Sequence, residues 1–137
     1  MNPMDKLAIY ELLARTTHGL DQRDPAMIES CFSQDATFEL EIKGADAIPP
    51  FVGRAAVMKL MTDSINSHSE DRRHVVSNIF FESEGDHAAS VVSTLVAFHS
   101  EHGKIGVMTA GVYRDQVRRI DGFWKIAVRH LALDLPF

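Results

Sequence analysis

Apolar residues recur at helical spacing early in the chain and at strand spacing later, and the change of period divides it. Ile9, Leu12, Leu13, Thr16 and Leu20 stand three and four residues apart, which predicts a helix from Pro3 to about Gly19 with one face turned inward. Asn2-Pro3 is a start signal, an asparagine cap followed by a proline that needs no hydrogen bond, and Gly19 is a stop. Asp24-Pro25 repeats the start and predicts a short helix, Ala26 to Phe32, burying Met27, Ile28, Cys31 and Phe32. Between this helix and a third, Ala36 to Lys43 alternates as a strand and Gly44 to Pro50 reads as loop. The third helix follows Gly53, from Arg54 to about Ser67, with Val57, Leu60, Met61, Ser64 and Ile65 inward.

From Arg72 onward the signals are those of strands. Arg72 to Phe81, Ala88 to Ser100, Ile105 to Arg119 and Phe123 to Leu133 are joined at Glu82–Asp86, Glu101–Gly103 and the Asp121-Gly122 hairpin turn. In the first of these, strict alternation sends His74, Val76, Asn78 and Phe80 to one face and Val75, Ser77, Ile79 and Phe81 to the other. Helices first and a meander of long strands afterwards predict an α+β domain spanning residues 1–137, with about three N-terminal helices on one face of a curved antiparallel sheet. Apolar residues on both strand faces imply a further cover, most simply another copy of the chain.

Composition narrows the partners. The chain has 137 residues, 45% hydrophobic and 24% charged, with a net charge of −5, so a nucleic-acid or acidic-membrane partner is not expected. No signal peptide or membrane span is visible, and the single cysteine, Cys31, excludes an intrachain disulfide and fits a reducing, cytoplasmic setting. Cys31 and Trp124 read as core. His68, His87 and His102 lie in polar connections or at strand ends and do not form a metal set, and His18 reads as surface beside a pocket mouth.

The order of several short motifs resembles one family. Leu20-Asp21-Gln22-Arg23-Asp24 after the first helix, a short helix ending in Phe32, Asp35-Ala36, Gly53 before a helix, His74 with Asn78, and Tyr113-Arg114-Asp115 ahead of Asp121-Gly122-Phe123-Trp124-Lys125-Ile126 resemble the SnoaL-like group of the nuclear-transport-factor-2-like superfamily. The resemblance implies a mixed sheet wrapped into a cone around a mostly apolar pocket for a small hydrophobic or aromatic ligand, worked without metal or organic cofactor, and assembly as a homodimer or homotrimer. Nearest in motif are scytalone dehydratase and hexachlorocyclohexane dehydrochlorinase. By that likeness Asp21 and His74 match a catalytic aspartate–histidine pair, His99 a second pocket histidine, and Arg129 an arginine past the Asp-Gly-x-Trp motif. The dehydrochlorinase's first-helix lysine is Thr16 here, and the dehydratase's two tyrosines that hold a water on the substrate carbonyl fall at Leu20 and Glu41, so neither relative's substrate carries over.

Each candidate has a chemical and a structural reading. A carboxylate that holds one ring nitrogen of His74 fixes its tautomer and leaves the other nitrogen to take a proton from carbon, the first half of an elimination or isomerisation; the same pair also serves as a buried tie between helix and sheet. His99 is either a general acid in the pocket or a solvated strand end. Arg129 either meets an anionic or carbonyl group of the ligand or pairs with an acid such as Asp115, and strand parity does not allow both Trp124 and Arg129 inside without a bulge. Asn78 and Tyr113 are candidate ligand contacts with backbone bonding and core packing as alternatives, and Thr16 and Leu20 are candidate wall residues. The expectation is a cofactor-independent lyase or isomerase of dehydratase, dehydrohalogenase or cyclase type. The alternatives are a non-catalytic binding or assembly module, or an accessory subunit resembling the small subunit of ring-hydroxylating dioxygenases.

Overall fold

The start signals at Asn2 and Asp24 both function as caps. In the computed structural model, which describes residues 1–136, the Asn2 side chain accepts from the Asp5 amide at 2.8 Å and Pro3 opens α1 (Pro3–Asp21). Asp24 accepts from the Met27 amide at 3.1 Å and Pro25 opens α2 (Pro25–Cys31). The first helix runs past the stop expected at Gly19, because that glycine serves close packing rather than termination. A Cβ built there would lie 2.9 Å from Ile28 Cγ1 and 3.2 Å from the Ile28 amide nitrogen. The chain turns instead at Arg23, with φ at +56°.

The strand β1 (Phe32–Ile42) follows α2 without a loop and begins four residues before the Ala36 expected from alternation. A two-residue strand not read from the sequence, β2 (Phe51–Val52), pairs antiparallel with it. Then come α3 (Arg54–Asn66), β3 (Asp71–Ser83), β4 (Ala88–Glu101), β5 (Lys104–Ile120) and β6 (Phe123–Leu133). The sheet order is β2-β1-β6-β5-β4-β3, with β1 parallel to β6 and every other neighbour antiparallel. The fold is thus the expected α+β arrangement, three helices on one face of a mixed sheet. No helix among the described residues is long and apolar enough to cross a membrane.

Bulges decide which side chains face inward. Ser77 pairs with Thr94 and Phe80 with Val92, so β3 carries an extra residue and Asn78 takes φ +53° there. On β6 Val128 and Ile126 pair with consecutive residues of β5, which leaves Ala127 as the extra residue. Met108 is the corresponding insertion on β5. An inserted residue shifts every later side chain to the opposite face. His74 and Val76 therefore share the inner face with Ile79 and Phe81, while Asn78 and Phe80 are exposed, which corrects the four-residue face expected from alternation. Ile9, Leu13, Ile28, Phe32, Val57 and Ile126 are wholly buried between helices and sheet. Val75, Phe80, Ile105 and Val107 remain exposed on the outer face.

Replacing Gly19 by Ala tests the close packing of α1 on α2. At an open helical position the change is stabilising by up to about 1 kcal/mol; here the Ile28 contact reverses the sign, and urea unfolding should show a loss of about 1–3 kcal/mol. A neutral or stabilised variant would mean that the two helices separate at no cost.

Candidate active site

Asp21 is the last residue of α1, where the negative end of the helix dipole disfavours a carboxylate. Donors from one residue of β3 compensate it. The His74 backbone amide lies 3.0 Å from Asp21 Oδ2 and 3.2 Å from Oδ1, and the ring nitrogen Nδ1 lies 2.6 Å from Oδ1. Both side chains are nearly buried, 7% exposed for Asp21 and 11% for His74. A carboxylate can only accept, so Nδ1 carries the proton of the neutral ring and Nε2 is left as an acceptor. Two residues past Asp21, the Arg23 guanidinium donates to the carbonyls of Ile65, His68 and Glu70 at 2.8, 3.0 and 3.1 Å. It thereby ties the end of α1 to the segment leading into β3, and both members of the pair are fixed by the same tether.

His74 is part of the wall of a cavity of about 120 Å³ between helices and sheet. That is close to the apolar cavity of about 150 Å³ known to hold a benzene ring. Leu20, Phe38, Leu60, Met61, Leu95 and Leu131 supply apolar wall, and Thr16, Tyr113, Arg72 and Arg129 supply polar groups. Arg129 faces inward with Trp124 because the bulge at Ala127 falls between them, and His130 faces outward toward Glu39 and Glu41. The Arg129 side chain is 2% exposed; its Nε and Nη2 donate to the two oxygens of buried Asp115 at 2.8 and 3.0 Å. Its guanidinium carbon sits 4.0 Å from the centre of the Tyr113 ring. Burial works against the Arg129 charge, but the adjacent Asp115 carboxylate outweighs it and holds the pKa above the usual guanidinium value. Burial also pushes the Tyr113 phenol up, so the hydroxyl stays a donor at neutral pH.

Residues 4–130 match the profile described as the SnoaL-like domain. The chain belongs to the SnoaL-like family. No curated protein matches it. Among solved structures, this SnoaL-like domain is similar to a provisionally named scytalone dehydratase from Novosphingobium aromaticivorans DSM 12444, at 24% identity and TM-score 0.79, covering 96% of this chain and 85% of that one. It is similar to the β subunit of a provisionally assigned aromatic-ring-hydroxylating dioxygenase from the same organism, at 16% identity and TM-score 0.82, over 98% and 92% of the two chains. A Catenulispora acidiphila protein in complex with S-DNPA matches at 20% identity and TM-score 0.80, over 96% and 95%. At these identities the likenesses show the fold.

Within this SnoaL-like domain the candidates separate. Asp21, His74, Tyr113 and Arg129 come together, and Thr16 and Leu20 are on the same cavity wall, with the Thr16 hydroxyl donating to the Leu12 carbonyl at 2.7 Å. Asn78 does not join them: the β3 bulge turns it out to solvent, which corrects the expected ligand contact. His99 shares the inner face but stands further along, opposite Arg72 on β3 and packed over Gly106 on β5, outside the described cavity wall. Glu41 is on the outer face, bonded to His130 at 3.1 Å. No group of three His, Cys, Asp or Glu side chains is placed to hold a metal ion among the described residues. The sequence reading missed Arg72 and Thr109 as wall residues. Arg72 was open to detection, since it has the same strand parity as His74.

The buried Arg129–Asp115 pair should be costly to break on one side only. Arg129→Met leaves Asp115 charged and unpartnered, and urea unfolding should record a loss of about 3–5 kcal/mol. Arg129→Met combined with Asp115→Leu should recover most of it; a double variant no more stable than the single one would contradict the ion-pair account.

Proposed function

We propose that this chain is a cofactor-independent lyase or isomerase acting on a single-ring substrate, with His74 as the base. The observation that carries the reading is the 2.6 Å contact of Asp21 with His74 Nδ1 on the wall of a ring-sized cavity. With Nδ1–H held, Nε2 takes a proton from a carbon beside a ligand carbonyl. The C–H bond breaks, the N–H bond forms, and the electron pair moves onto the carbonyl oxygen as an enolate. The new imidazolium lies against the Asp21 carboxylate. Tyr113 O–H and the Arg129 Nη1 group not used by Asp115 are the donors nearest in kind to what an enolate oxygen needs. Collapse of the enolate with loss of a leaving group completes an elimination, and reprotonation at another carbon completes an isomerisation. The provisional name of the Novosphingobium neighbour, a dehydratase, falls in the same reaction class.

Proton abstraction can be measured before the natural substrate is known. In D₂O, a panel of single-ring ketones and cyclic β-hydroxyketones followed by proton NMR should show hydrogen–deuterium exchange accelerated by the wild-type protein. His74→Ala should lose about a hundredfold or more of that acceleration. Because the His74 backbone amide still reaches Asp21 in this variant, its stability should stay within about 2 kcal/mol of wild type. Retained exchange in a folded His74→Ala protein would remove His74 from the chemistry, and ligand binding without any exchange would favour the binding-module reading.

A further inference from the structure

Arg72 precedes His74 by two residues on β3 and is on the wall of the same cavity. Its neighbour in sequence, Arg73, faces outward and is exposed, so the basic pair is split between two environments. The Arg72 side chain is 14% exposed, and among the described residues only one of its nitrogens has a protein partner: Nη2 donates to Glu70 Oε1 at 3.0 Å. Its Nε is buried with no hydrogen-bond acceptor among the described residues, and so is His68 Nδ1 in the adjoining turn. A guanidinium has five N–H donors and tolerates burial when they are matched by acceptors. The other arginine on the wall, Arg129, is bonded to both oxygens of Asp115; Arg72 is bonded to one oxygen of one carboxylate.

The surrounding charges do not make up the difference. Arg23 brings a second guanidinium to the same turn and spends it on three backbone carbonyls, and Glu70, the carboxylate bonded to Arg72, is 17% exposed and outside the cavity wall. The Asp21 carboxylate, two residues from Arg23, is taken up by the amide and ring of His74, which leaves Glu70 as the carboxylate bonded to Arg72. His68 adds no charge at neutral pH, since burial first and the Arg72 charge second hold its pKa below the usual histidine value.

We propose that Arg72 is a specificity-determining residue that binds an acidic oxygen of the ligand, so that the substrates are single-ring compounds carrying a carboxylate or a phenolate. This rests on the cavity being the ligand site. Side chains two residues apart on one strand face are separated by about 7 Å, which places the acidic oxygen about one ring's width from the carbon that His74 deprotonates. A planar guanidinium with an unmatched N–H is suited to an anionic oxygen, and the apolar wall of Leu60, Met61 and Leu95 accommodates the ring between them.

Binding rather than turnover tests this, and it does so whether or not His74 is a base. Isothermal titration at pH 8 with benzoate, 4-nitrophenolate and benzamide compares two anionic oxygens with a neutral ring of similar size. Wild type should bind at least one of the anions tenfold or more tighter than benzamide, and whichever is preferred names the oxygen. Arg72→Gln should abolish the preference while leaving benzamide affinity within about threefold, with Arg72→Lys retaining part of it. Circular dichroism would verify that each variant is folded. Equal affinity of wild type for anions and benzamide, or a preference that survives in Arg72→Gln, would overturn the assignment. If none of the three binds to wild type, the cavity itself is not the ligand site and the inference falls with it. Failure of deuterium exchange alongside a preserved Arg72-dependent preference would sink the base and spare this residue's role.

Discussion

A carboxylate at the C-terminal end of a helix faces the negative end of that helix's dipole, and Asp21 is kept there by the amide and ring of His74 on another element. The arrangement ties α1 to β3 and at the same time decides which nitrogen of the imidazole is free. The two functions are not alternatives. The backbone amide would suffice for the tie, and the ring contact adds the tautomer. Arg23 reinforces both by gripping the turn from which β3 departs, and Gly19, two residues before the end of α1, lets that helix lie close against α2.

The cavity owes its polar wall to interruptions of regular structure. A strand that alternated without fault could not present both Trp124 and Arg129 inward, and one extra residue at Ala127 allows it. The buried guanidinium then needs a carboxylate, which Asp115 supplies from the paired position on β5, and it stacks on Tyr113 two residues away. The bulge on β3 acts in the other direction and removes Asn78 from the interior. Charge inside the cone is thus admitted where geometry provides a partner. Arg72, with a single carboxylate oxygen, is the place where the matching is incomplete.

These features explain what was legible in the sequence. Helix starts, the order of strands and the α+β class follow from caps, turn residues and a change of period, all local signals that tertiary packing did not override. The Asp21–His74 pairing followed from family resemblance, since residues 53 apart carry no local mark of contact. Alternation failed at Asn78 because a bulge carries no reliable sequence signal, and at the start of β1 because Phe32 to Asp35 pair through an irregular register with β6. Arg72 was legible by parity, since it shares the strand face of His74 while Arg73 faces the other way. Glu41, the position matched to a dehydratase tyrosine by motif likeness, is on the outer face with His130.

The central claim is that Asp21 holds His74 with its proton on Nδ1 and Nε2 bare. Two-dimensional ¹H–¹⁵N correlation spectra of histidine-labelled protein, recorded where the ring is neutral, read the tautomer directly from the two nitrogen shifts. The account predicts a protonated Nδ1 and an unprotonated Nε2 for His74, a pattern lost in Asp21→Asn. A neutral ring protonated on Nε2, or a tautomer indifferent to Asp21, would contradict it.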